Sequence, residues 1–220
     1  MYVFHFEILS QWIGPLLKGL LMTVRVSVLA MMLGMIIGLL VAFVRMSKYA
    51  VPREAAVIYI EVARGMPILV LILWFYYGLP ILTGVVFSGV VSGVAALTLK
   101  YVGYLAEIFR AGIEAIKTGQ REAAYSLGFS RIQTMRRIVL PQAIRIVVPP
   151  LGNAFVGMLQ DSALVSIIGV TDLMRQGQLA VSSTFRPFEL YTAVGLLYLA
   201  MTIAFSKIND YLEKRRMIVR

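Results

Sequence analysis

Cysteine is absent from the 220 residues, and histidine occurs once, at His5. The first absence excludes a disulfide framework, a zinc–thiolate site, an iron–sulfur cluster and a thiol nucleophile. The second leaves no histidine pair for a metal centre, so no metal site is expected. Charge is scarce too. Asp, Glu, Lys and Arg make up 15% of the chain, against ~25% in an average soluble domain, while hydrophobic residues reach 60% and the mean hydropathy is +0.83. A chain of this kind has too little polar surface to cover itself, so its solvent is a lipid bilayer. Acidic residues are the scarcest charged class: 11 Asp and Glu stand against 21 Lys and Arg, a net charge of +10. In a soluble protein that excess would suggest nucleic acid; in a membrane protein it marks the loops kept on the cytoplasmic side, and no nucleic-acid partner is expected. No GxxxxGK[ST] loop is present, so the chain is expected to bind no nucleotide itself and to be no enzyme.

A membrane-crossing helix needs ~20 largely apolar residues, and five stretches qualify. Residues 26–44 carry no charge and stop at Arg45-Met46-Ser47-Lys48. Residues 65–99 are again uncharged but too long for one crossing, and Gly78-Leu79-Pro80 with Gly84 divides them into spans near 58–77 and 85–106. A fourth span covers about 144–168 and a fifth 190–206. Lys and Arg gather after the first span (Arg45, Lys48, Arg53, Arg64), after the third (Arg110, Lys117, Arg121, Arg131, Arg136, Arg137, Arg145) and in the tail (Lys207, Lys214, Arg215, Arg216, Arg220). The opposite side holds only Lys18, Arg175 and Arg186. By the positive-inside rule the N-terminus is outside and the C-terminus cytoplasmic. The first ten residues hold no Lys or Arg, which argues against a cleaved leader. The expected fold is an all-α integral membrane protein with five transmembrane helices.

Between spans three and four lie residues too polar to insert. Arg121-Glu122-Ala123-Ala124-Tyr125-Ser126-Leu127 reads as a short helix stopped by Gly128, a residue suited to the left-handed turn at a helix end. A second helix runs from Ser130, a plausible N-cap, to Leu140, and Pro141 opens the next element. Ile132, Met135, Ile138 and Val139 recur at helical spacing, with Arg131, Arg136 and Arg137 largely on other faces. On shape alone the pair is an amphipathic hook on the membrane surface, with anionic lipid as its partner.

The spacing of Glu122-Ala123-Ala124, Gly128, Ile138, Leu140 and Pro141 resembles the EAA motif of ATP-binding-cassette (ABC) importer permeases at every fixed position. Arg64-Gly65-Met66-Pro67, the stretch from Tyr104 to Ile113, and Asp161-Ser162-Ala163-Leu164-Val165 look like the polar amino acid uptake permeases, so nearly the whole chain is covered. That resemblance implies a single importer transmembrane domain over residues 1–220 in a bacterial inner membrane. Its coupling hairpin, about 117–141, docks on a cytoplasmic ABC ATPase dimer that binds ATP and magnesium. It also implies an identical or paralogous permease chain, an extracytoplasmic solute-binding protein and an amino acid substrate, with no cofactor in this chain.

Ionisable groups at membrane depth cost about 2.5–3.5 kcal/mol on insertion scales, so each should face a cavity or a partner. Lys100, Tyr104 and Glu107 stand at i, i+4 and i+7, on one face of span three; Asn153, Gln160 and Asp161 share a face of span four. Two readings stand: these stripes line a substrate path, or Lys100 pairs with Asp161 or Glu107 to hold two helices together. Permeases of cationic amino acids resemble this chain around Gly152-Asn153, but there Glu commonly follows where this chain has Ala154. Relatives commonly show Asn at Lys100 and Lys at Gln160. A positive charge without that carboxylate tilts the expected substrate toward acidic or neutral amino acids such as glutamate, aspartate or glutamine. An ion-coupled secondary transporter or channel is the competing class; five spans without a paired inverted repeat, and a hook with nothing to dock, speak against it.

Overall fold

A computed structural model of the protein describes residues 4–217, and at 212 and 214–217 the backbone alone. Arg220, and the side chains of Lys214, Arg215 and Arg216 in the predicted basic tail, therefore lie outside the described residues. Among the described residues all regular structure is helical. The helices are α1 (Ile8–Arg45), α2 (Ala50–Gly65), α3 (Ile68–Thr83), α4 (Gly89–Glu114), α5 (Thr118–Ser126), α6 (Arg131–Ile168), α7 (Leu173–Thr184) and α8 (Pro187–Met217). Four helices, α1, α4, α6 and α8, are long and apolar enough to cross a membrane, and the pair α2–α3, bent by 101°, makes a fifth if counted as one broken span.

Three boundaries differ from those predicted. The first helix begins at Ile8 rather than near 26, because Lys18 and Arg25 are good helix formers and do not stop it. At 38 residues it is ~57 Å long, well beyond the ~30 Å hydrocarbon core. The second predicted span is broken after Gly65: Pro67 has no N–H and disfavours the helical region for Met66, so α2 ends and α3 starts anew. By contrast, Gly78-Leu79-Pro80 does not break α3; the helix widens into a π turn over Trp74–Gly78 and stops only at Gly84, in the left-handed region at φ 71°. The third concerns Pro141. It opens no new element, because α6 runs without a break from the hook through the fourth span. A π turn at Met135–Val139 precedes it, and the shifted bonding register lets the helix pass a residue that lacks an N–H.

The residues group into two compact units. Met1–Leu33, Met66–Lys100 and Phe155–Ala204 make the first. Its core packs Leu16, Leu173 and Val194 with Trp12, Leu20 and Met174 around them. Gly19 lets α1 pass close to the α7 N-terminus, where a Cβ would come within 2.7 Å of the Asp172 carbonyl oxygen. Asp172 is the N-cap of α7: its carboxylate accepts from the Arg175 amide at 2.9 Å and from the Tyr198 hydroxyl at 3.4 Å, and the Leu173 amide donates to Thr23 Oγ1. Gly34–Gly65, Tyr101–Ala154 and Phe205–Arg220 make the second unit. Ala42, Ile60 and Ala106 form one of its clusters, and Ile113, Ile116, Val139 and Ala143 another. Small residues set the spacing, as expected where lipid supplies no drive for helices to associate. Gly103 lies against Ala63 and the Ile60 carbonyl, and Gly38 against Leu105.

Full burial raises the Asp172 carboxyl from its ordinary 3.8 to about 6. The protonated form is thus favoured in the folded state. The stability that Asp172 contributes is complete below about pH 3.8 and is lost as pH rises through about 6. Asp172→Asn keeps an N-cap acceptor and removes the buried charge. Its melting temperature in detergent, compared with wild type, should be higher at pH 8, and the gap should narrow at pH 5. A gap that is constant with pH would mean that the buried carboxyl does not titrate in this range.

Candidate functional site

The hook is built within the second unit, and its turn is closed by two capping motifs in succession. Gly128, at φ 80°, takes the left-handed position after α5; its amide donates to the Tyr125 carbonyl and the Phe129 amide to the Ala124 carbonyl, at 2.9 and 3.0 Å. This is the paired Schellman arrangement. One residue later Ser130 caps α6 in a reciprocal box: its hydroxyl accepts from the Gln133 amide, and the Gln133 side chain accepts from the Ser130 amide. The hook is anchored at its base. Arg121 donates to the Ile113 carbonyl at 2.7 Å, answering an otherwise open acceptor at the end of α4, and Gln142 donates to Gln120 at 2.6 Å.

Of the motif residues, Ala124 is buried and Ile138 half-buried, whereas Glu122, Ala123, Gly128, Leu140 and Pro141 are exposed. Tyr125, Leu127 and Ile132 are exposed as well, Leu127 by 77% and Ile132 by 79%. Ile132, Gln133, Arg136 and Arg137 line a cleft of about 510 Å³, and Arg137 stacks over Phe129. The hook therefore turns inward what it needs to hold its shape and leaves an apolar and cationic surface outside.

The predicted polar stripe of α4 is divided between the two units. In the second, Tyr104 lies under the Arg64 guanidinium at 5.2 Å. Glu107 accepts from Arg110 at 2.6 and 3.1 Å, Arg45 approaches it at 3.9 Å, and Arg110 reaches on to Glu114. Glu107 is thus the hub of a charge network joining the ends of α1 and α4. Sequence reading placed it in a path or against Lys100 and missed these arginines; the Glu107, Arg110, Glu114 spacing at i, i+3 and i+7 was the available signal, while Arg45 and Arg64 meet it only through the fold. Asn153 is exposed on α6.

In the first unit, Lys100 is half-buried and its ammonium donates to the Met66 carbonyl at 3.0 Å. That carbonyl sits in the break before Pro67, where Val70 and Leu71 both turn to the Pro67 oxygen instead. This role for Lys100 was not foreseen. Gln160 is exposed into a cavity of about 570 Å³, lined also by Ala163, Met174, Tyr191, Tyr198 and Thr202. Neither Lys100 nor Asp161, which is half-buried, is among the residues that line it. Tyr191, Tyr198 and Thr202 were not singled out from the sequence, although their spacing along α8 puts them on one helical face.

Comparison with known proteins bears on the family. The family described as "Binding-protein-dependent transport system inner membrane component" matches residues 34–218. The chain is 39% identical over 199 residues to the probable glutamine ABC transporter permease protein GlnM of Bacillus subtilis (strain 168), covering 90% of this chain and 92% of that one. It is 37% identical over 205 residues to the glutamine transport system permease protein GlnP of Escherichia coli (strain K12), covering 93% and 94%. A solved structure described as "Crystal structure of an amino acid ABC transporter with histidines" superposes with a TM-score of 0.91 at 40% identity, over 97% of this chain and all of that one. With the motif, the apolar helices and these likenesses together, the chain belongs to the binding-protein-dependent transport system inner membrane components, as a multi-pass permease of the bacterial inner membrane.

Proposed function

We propose that this chain is the transmembrane subunit of an ATP-driven importer of a neutral polar amino acid, glutamine being the first candidate. Its hook seats on a separate cytoplasmic ATPase. The observation that carries the reading is the hook itself: a shape fixed by two consecutive capping motifs, presenting Glu122, Ala123, Leu127 and Ile132 outward, with nothing among the described residues to cover them. A surface of that kind at the start of a continuous 38-residue helix is suited to pass a partner's movement into the membrane. The partners on this reading are an ATPase dimer that holds ATP and magnesium, a second permease chain and an extracytoplasmic binding protein. The topology has the N-terminus outside and the C-terminus in the cytoplasm, and no cofactor is held here. Glutamine is favoured by the names of relatives such as GlnM and GlnP, by Ala154 where a cation-selective carboxylate would stand, and by the uncharged Gln160 in its cavity.

The test is uptake into proteoliposomes carrying the permease, its ATPase and its binding protein. Labelled glutamine should accumulate only with internal ATP, and more than glutamate or arginine. Accumulation by the permease alone under an ion gradient would instead make it a secondary transporter.

The coupling residues have their own test. Gly128→Val forces a β-branched side chain into φ 80°, which should cost ~1–2 kcal/mol and displace the hook. Uptake should fall at least tenfold while insertion stays normal, and Glu122→Lys should act in the same direction by reversing a charge on the docking surface. Full uptake in both variants with the ATPase still bound would remove the hook from the mechanism.

For Lys100, the bond to Met66 predicts a general rather than a selective loss. Lys100→Met leaves that carbonyl without the ammonium, at a cost of roughly 1–3 kcal/mol. Melting temperature should drop, and uptake of glutamine and glutamate should fall together. A stable variant whose preference between the two solutes changes would place the ammonium in the path.

A further inference from the structure

The two tightest glycine contacts in the second unit both fall on α6, on either side of its proline pair. On the hook side, Gly112 of α4 faces Val147, where a Cβ would lie 2.1 Å from Val147 Cγ2. Beyond the prolines, Gly152 faces Asn209 of α8, where a Cβ would lie 2.0 Å from both Asn209 Cγ and Oδ1. Only hydrogen fits at either place. The Asn209 amide also donates to the Pro149 carbonyl at 3.2 Å. Between Ile203 and Tyr211 Asn209 alone is buried, at 8% exposure, so the contact is a single peg rather than a packed seam. A buried amide is costly unless its bonds are met. Packing alone would be served by leucine.

The backbone under the peg is the weak point of α6. Pro149 and Pro150 carry no N–H, so the carbonyls of Arg145 and Ile146 lose their helical donors. A long helix bends most easily where its ladder is interrupted. The hook is the start of this same helix, and Val147 against Gly112 is its last close anchor before the interruption.

We propose that Asn209 is a positioning residue for energy coupling: seated in the Gly152 notch and bonded to the Pro149 carbonyl, it clamps α8 to α6 across the proline pair, so that a displacement of the hook moves both helices together instead of dissipating as a bend. This rests on the reading of the hook as the ATPase-docking element. The clamp holds throughout the transport cycle, and its loss uncouples hydrolysis from uptake without dismantling the transporter.

The experiment uses the assembled transporter, permease with ATPase and binding protein, in proteoliposomes, with ATP hydrolysis and glutamine uptake measured on the same sample. Asn209→Leu keeps the branched shape and deletes the donor. Hydrolysis should stay near wild type while solute moved per ATP falls about fivefold, the size of one net hydrogen bond. An unchanged ratio, or hydrolysis and uptake declining in parallel with the melting temperature, overturns the clamp. A second arm uses the lack of native cysteine. Gly152→Cys with Asn209→Cys, oxidised to a disulfide, should retain uptake, because the two helices never need to part. Uptake lost on oxidation and restored by reductant overturns the proposal, and this arm decides even where the leucine variant fails to assemble. A wild-type complex that transports without hydrolysing ATP would refute the importer reading itself, before any variant is compared.

Discussion

Inside a bilayer no water is available to a backbone carbonyl, so wherever a helix is interrupted a donor must come from the protein. This constraint explains why so many of the polar side chains in this chain stand where they do. Pro67 breaks the α2–α3 pair, and Lys100 donates to Met66. Pro149 and Pro150 take the helical donors from the Arg145 and Ile146 carbonyls of α6, and Asn209 donates one turn further on, to Pro149. The end of α4 leaves the Ile113 carbonyl open, and Arg121 donates to it. Thr98 donates to Ala30 within the unbroken α1, at 3.4 Å. Lys100 and Arg121 thus each answer a carbonyl at a helix break or end before any solute is considered.

Charge within the second unit follows the same economy of pairing. Glu107 lies between Arg110 of its own helix and Arg45 at the end of α1, while Arg64 at the end of α2 covers Tyr104. A carboxylate at this depth without cations would carry a large desolvation cost. With them it ties the end of α1 to α4 next to the base of the hook, where Met46 also packs on the Ile113 and Val139 cluster. On the proposed reading, the element that moves as a body is held by ion pairs and a small apolar core, and its outer surface is left for a partner.

How much of this was legible in the sequence depended on the range of the interaction. Gly128 and Ser130 could be read because a helix stop and a helix start are decided by neighbours within a turn, and both form as expected. The apolar runs of the long helices were equally plain. Pro141 was misread because its effect depends on the π turn before it, a change of register that propensity does not signal. Pro67 breaks its helix and Pro149-Pro150 does not, although either pattern reads as a kink; what differs is that α6 is held on both sides of its prolines by Gly112 and Asn209. The bond from Lys100 to Met66 could not be read, because a carbonyl freed by a distant proline leaves no trace in local spacing.

The same distinction separates what the chain says about mechanism from what it says about substrate. A coupling surface is a local object, one hairpin whose capping, charge and exposure are set within some twenty residues. On the proposed reading the solute site is assembled from distant ones: the cavity at Gln160 takes one wall from α6, Met174 from α7 and the Tyr191, Tyr198 and Thr202 face of α8. No period in the sequence joins those three helices. On the proposed reading, Gln160 gives that cavity an amide that both donates and accepts, without a charge to be neutralised. A neutral polar side chain can satisfy such a group completely, whereas an acidic or cationic one would enter a largely apolar pocket with its charge unmatched. Selection against charge then needs no repulsive group in the membrane, because desolvation supplies it.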